Sequence, residues 1–145
     1  MKKHLAQLNI SRIIPETMED PIMADFVAQL DTINALAESS KGFVWRLKGD
    51  DNNATNFRPF DDDRIIVNMS VWESVEELME FAYKSAHTMV MKDRNKWFKK
   101  FRKPSMVLWN VEEGHIPTVQ EARERLEYFQ VNGATEFAFD FKKQF

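Results

Sequence analysis

Residues 64–72, RIIVNMSVW, constrain this chain more than any other stretch, because alternate positions carry two different chemistries. Ile65, Val67, Met69 and Val71 share one side, and Ile66, Asn68, Ser70 and Trp72 share the other. Period-two alternation predicts a strand between two distinct environments. The first side is wholly apolar and is expected to pack under helices. The second carries an amide, a hydroxyl and an indole, which suits the wall of a polar-lined cavity. The strand therefore predicts a sheet with solid packing on one face and a pocket on the other.

The remaining chain supplies the elements for such a sheet. Residues 4–12 alternate, with His4, Ala6, Leu8 and Ile10 on one face and Leu5, Gln7, Asn9 and Ser11 on the other. Between residues 23 and 38, Met23, Phe26, Val27, Leu30, Ile33 and Ala37 recur at helical spacing. Gly42 is expected to take a left-handed conformation after that helix. Residues 43–48 read as a second strand, and the alternating residues 64–72 as a third. Ser74 followed by Glu77 is a capping box that opens a second helix. Helical character is expected to run on through Phe101, until Pro104 stops it. Residues 105–111 read as a fourth strand. Thr118 opens a third helix that ends near Asn132-Gly133. The tail alternates Phe137, Phe139 and Phe141 and is expected to add a strand or to dock as an apron.

The order β-α-β-β-α-β predicts an α+β, ferredoxin-like protomer with an added C-terminal helix. One domain is expected, with a core over about residues 4–112 and a helix and tail over 117–145. Its helices should lie on one side of an antiparallel sheet, and a second copy of the chain is the simplest cover for the bare side.

Composition removes several classes. There is no cysteine, so disulfides, thiolate catalysis and cysteine-held metals are excluded. The net charge of −3 gives no basic footprint for nucleic acid. The basic, aromatic run 92–103 reads as the solvated face of a helix with an apolar underside. No segment approaches the roughly 20 apolar residues that span a bilayer, and the N-terminal segment does not resemble a secretion signal. The expected location is the cytoplasm. Residues 49–63 carry D-x-N spacing but lack the Gly and Glu of a calcium loop. No hydrolase triad order, phosphate-cradling loop or dinucleotide fingerprint is present.

The segments HLAQLNI, GFVWRL, NATNFRPFDD, RIIVNMSVWES, SAH and LWNV, with GHIPTVQEARERLE, resemble an uncharacterised bacterial domain family. That family belongs to the dimeric α+β barrel superfamily, near the antibiotic-biosynthesis monooxygenases. The resemblance implies a homodimer and a pocket between sheet and helices within each protomer. Relatives include cofactor-independent oxygenases acting on polycyclic aromatics and haem-degrading enzymes. Asn9, Trp72 and His87 match the places of three functional residues in the haem-degrading members, although the Trp-to-His spacing is longer here. Haem is the one cofactor the resemblance suggests.

His87 is the candidate catalytic residue, since a neutral imidazole can ligate iron or move protons near neutral pH. On a continuous helix, Tyr83, Met91, Arg94 and Phe98 share its face. An arginine there suits a substrate carboxylate or a haem propionate. Asn9, Asn68 and Trp72 are candidate binding residues on the pocket faces of their strands. Each has a structural alternative: a surface histidine, amides satisfied within the sheet, a packed indole. Trp45 and Trp109 are expected to pack in the core or an interface. Arg46 is expected to pair with the acidic loop, and His4 to lie exposed. His115 belongs to a metal site only if other ligands converge on it. The function these features suggest is the binding of a small hydrophobic or aromatic molecule, with a monooxygenase-like oxidation as its enzymatic form. The alternative is a non-catalytic ligand-binding or stress-response module.

Overall fold

The computed structural model describes residues 2–48, 60, 62, 64–84 and 94–145. Five strands form one antiparallel sheet: β1 (Lys3–Ile13), β2 (Phe43–Arg46), β3 (Ile65–Trp72), β4 (Phe98–Lys99) and β5 (Met106–Glu112). The helices among the described residues are α1 (Ala24–Glu38), α2 (Val75–Lys84), the short α3 (Arg94–Trp97) and α4 (Val119–Asn132), with a 3-10 turn at Pro21–Met23.

β1 is the centre of the sheet. One edge pairs with β3 from Leu5↔Trp72 to Arg12↔Ile65, and β2 lies beyond β3. The other edge holds β5 against Lys3–Asn9 and β4 against Arg12 and Ile13. Helix starts and stops follow local chemistry. The Thr118 hydroxyl accepts from the Glu121 N–H at 3.0 Å, and the Gly133 N–H closes the far end on the Phe129 carbonyl at 2.9 Å. At α2, the Glu77 N–H donates to the Ser74 hydroxyl, which donates in turn to the Glu77 carboxylate.

The two faces of the sheet separate as the alternation predicts. Ala6, Leu8, Val67, Met69, Val107 and Trp109 form a solid layer, all buried, with α4 packed on it through Ala122, Leu126 and Phe129. The opposite face lies under α1 and α2. It carries Leu5, Trp72 and Leu108, packed with Ala37 and Leu78. The apolar face is therefore covered by the C-terminal helix, whereas α1 and α2 roof the polar one. For these residues the cover comes from the chain itself.

Three expectations are corrected. Helical character ends at Trp97 and does not reach Phe101. Phe98 and Lys99 pair with β1, and both Trp97 and Phe98 stack on Phe26, with ring centroids 5.4 and 5.0 Å away. Aromatic packing at the end of β1 outweighs the helical preference of the basic run. His4 is buried rather than exposed, because β1 already starts at Lys3 and pairs His4 with Val111. Arg46 is buried with its Nε 3.5 Å from Glu38 of α1, and most of the acidic loop it is expected to pair with lies outside the described residues. Finally, the buried stripe of α1 is rotated: Val27 faces solvent, while Asn34 is buried.

The tail docks as an apron. Phe139 bridges to Leu108 of β5 through two backbone hydrogen bonds and is fully buried. Arg125 of α4 holds the tail from above. It donates to the Phe137 carbonyl at 2.8 Å and stacks on the Phe137 ring at 3.9 Å. Burial lowers the Arg125 pKa from its ordinary value, with Glu121 and Glu124 opposing that shift.

Candidate functional site

A cavity of ≈ 330 Å³ lies between the polar face of the sheet and the helices α1 and α2. That volume is at the lower end of small-molecule sites. Its floor is the second face of β1 and β3: Gln7, Asn9 and Ser11 beside Asn68, Ser70 and Trp72. Its walls are apolar, from Phe26, Leu30 and Ile33 of α1 and from Leu78 and Phe81 of α2.

The floor is wired by cross-strand pairing. Gln7 is opposite Ser70 and Asn9 is opposite Asn68. Gln7 Nε2 donates to both Asn68 Oδ1 and Ser70 Oγ, each at 2.8 Å. Trp72 Nε1 donates to the same Ser70 Oγ at 2.9 Å. These bonds fix the amide orientation of Asn68, leaving its nitrogen as the free end. The Trp72 ring lies between Phe43, edge-on at 5.5 Å, and Phe81, stacked at 5.3 Å. Trp72 is therefore a rigid, satisfied wall, and the packed-indole alternative describes it while it still borders the cavity.

Five of the residues chosen from sequence line this one cavity: Asn9, Asn68, Trp72, Tyr83 and Arg94. They differ in setting. Trp72 is buried, Asn9 half-buried and Asn68 exposed in mid-strand. Tyr83 is 60% exposed, against Phe141 at 5.6 Å, and Arg94 is exposed. His87 and Met91 lie outside the described residues. Sequence reasoning missed Asn34 and gave Gln7 no role. For Asn34 the available signal was an amide at the fourth residue after Leu30, inside an apolar helical stripe. For Gln7 it was the register that sets it opposite Ser70.

Among the described residues, the charged side chains lining the cavity are Arg46 and Arg94; no carboxylate, lysine or histidine joins them. No cluster of His, Asp or Glu able to hold a metal ion occurs among the described residues. His115 instead lies 2.7 Å from Glu121, whose other oxygen accepts from Trp109 Nε1 at 2.8 Å, on the opposite side of the sheet. A haem would draw its iron ligand from the wall of the cavity. Tyr83 and Met106 are its described side chains of iron-ligating type, one strongly exposed and the other half-buried. Neither is the histidine that the resemblance suggests, which lies outside the described residues. No helix among the described residues is long and apolar enough to cross a membrane.

The sequence profile of a domain of unknown function, DUF3291, matches residues 4–145. No curated protein matches the chain. Among solved structures, the chain is similar to the NE2512 protein of unknown function from Nitrosomonas europaea (TM-score 0.54, 13% identity, 81% of this chain and 97% of that one). It is also similar to a conserved protein from Methanosarcina mazei Go1 (TM-score 0.54, 7% identity, 77% and 93% covered). A third match is PA3566 from Pseudomonas aeruginosa (TM-score 0.52, 8% identity, 79% and 98% covered). At these identities the likeness is one of fold.

Proposed function

We propose that this protein, which belongs to the DUF3291 family, binds a small hydrophobic or aromatic molecule between its sheet and helices α1 and α2. The single observation that carries this reading is the cavity itself. It combines apolar walls with a floor of amides and hydroxyls, the pattern of sites that fix a ligand's orientation by a few polar groups. The strand order supports the finer reading as a ferredoxin-like protomer of the dimeric α+β barrel type. The homodimer, the kinship with antibiotic-biosynthesis monooxygenases and the cytoplasmic location are parts of the same proposal.

Native mass spectrometry of the protein purified from cells tests it. A co-purified molecule of a few hundred daltons, at one per protomer, is the expected result, and the same spectrum reads the oligomeric state. A bare mass, together with no uptake of aromatic probes, overturns the reading.

An enzymatic form would need a proton-moving group at the cavity. The described lining holds no carboxylate, lysine or histidine to move a proton. Proton transfer would then fall to His87, three residues beyond the end of α2, or to Tyr83 at the rim. In that reading the imidazole takes an acidic C–H proton of an electron-rich ring, the carbanion adds O2, and loss of the second C–H proton breaks the O–O bond, leaving a ring carbonyl and releasing water with all four electrons from the substrate. His87→Ala should abolish oxygen uptake with the co-purified molecule while far-ultraviolet circular dichroism stays unchanged. Unchanged turnover in that variant leaves the binding function alone.

A further inference from the structure

Asn34 is out of place by the logic of its own helix. It sits within the inward stripe of α1, between Leu30 and Ala37, and is only 6% exposed. It borders the cavity, and among the described residues its side chain makes no hydrogen bond. Across the cavity the floor is satisfied in part, with the Asn68 nitrogen left free. Gln7 has committed both amide hydrogens, and Ser70 accepts two bonds. The buried amide of Asn34 is thus open on the roof side. Helix formation gives no reason for it, since leucine has the better propensity and would extend the apolar stripe. Its amide is reached from the cavity rather than sealed in the core, and such local inconsistency is characteristic of functional positions.

We propose that Asn34 is a specificity-determining residue, and that the ligand is a compact, largely apolar ring molecule carrying a carbonyl or hydroxyl oxygen for its amide. This rests on the binding reading above and adds the class of ligand. An amide offers two donors and one acceptor without charge, so it matches a neutral carbonyl or hydroxyl. A pure hydrocarbon would fill the same space and leave the amide unpaired, which costs about a factor of ten in affinity.

The probes are 1-naphthol and naphthalene, which share a skeleton and differ by one hydroxyl, titrated by isothermal calorimetry. The wild-type protein is expected to bind 1-naphthol about tenfold more tightly. In Asn34→Leu that preference should fall to within about twofold, with naphthalene binding retained. The variant should also melt a few degrees higher, because an orphaned amide has been replaced by a leucine in an apolar stripe. Asn34→Ser, which keeps a hydroxyl, should retain part of the preference. An equal preference in wild type and Asn34→Leu overturns the proposal, as does a lower melting temperature combined with unchanged selectivity. Equal binding of both probes to wild type overturns this inference and leaves the binding reading standing. Binding of neither probe overturns both.

Discussion

Asp62 shows how much a single carboxylate can organise. Its Oδ1 accepts from the Arg64 N–H at 2.9 Å, and its Oδ2 meets Arg12 Nε at 2.9 Å, so it pins the start of β3 to the end of β1. The Arg64 hydrogen bond, foremost, and the nearby Arg12 hold its pKa below the ordinary 3.8, against the opposing effect of burial. The folded carboxyl thus releases its proton more readily than the unfolded one. The resulting stability is present at neutral pH and is lost as pH falls from the ordinary value through the depressed one. Both partners are about one-third exposed, so the effect is at most about 1 kcal/mol after solvent screening. Asp62→Asn keeps an acceptor for Arg64 and removes the charge. Its melting temperature should lie below wild type at pH 7, and the two should converge as pH falls below the depressed pKa. A gap that persists in acid would refute the charge linkage. At this scale the sequence was only partly legible. Alternation placed Asn9, Asn68 and Trp72 correctly, because period two is dictated by the backbone. It was silent on the burial of Asn34 and Arg46, which depends on how α1 rolls against the sheet.

Among the elements, α4 is the cover of the solid face of the sheet. Leu126 is fully buried within the cluster that includes Val107 and Trp109. Leu126→Ala should cost about 2–5 kcal/mol, since the facing strands cannot collapse into the space left behind. Urea unfolding checks this, and a loss under 1 kcal/mol would mean that α4 is a loosely held cover. Its boundaries were readable because Thr118 and Gly133 are local signals. The end of α3 was not. Residues 94–101 have helical periodicity, yet Trp97 and Phe98 gain more by stacking on Phe26, and the chain turns into β4. Local pattern cannot report a contact with a side chain some seventy positions away.

For the whole molecule, the sequence foretold two unlike faces and the structure decided what covers each. The solid layer and the hollow are separated by one sheet, so β1 and β3 serve both with alternate residues. A change on the α4 side that tilted β3 would also move Asn68, Ser70 and Trp72. Stability and selectivity are therefore mechanically linked through the same two strands, and variants of the core are informative about the cavity.

Gly42 carries that linkage to the roof. Its φ of +86° favours glycine, and the Glu77 carboxylate at the first turn of α2 occupies the space a side chain there would need. The absence of a single methyl group lets α2 descend onto the sheet. The height of the roof over the sheet is thereby set by a position outside the cavity lining.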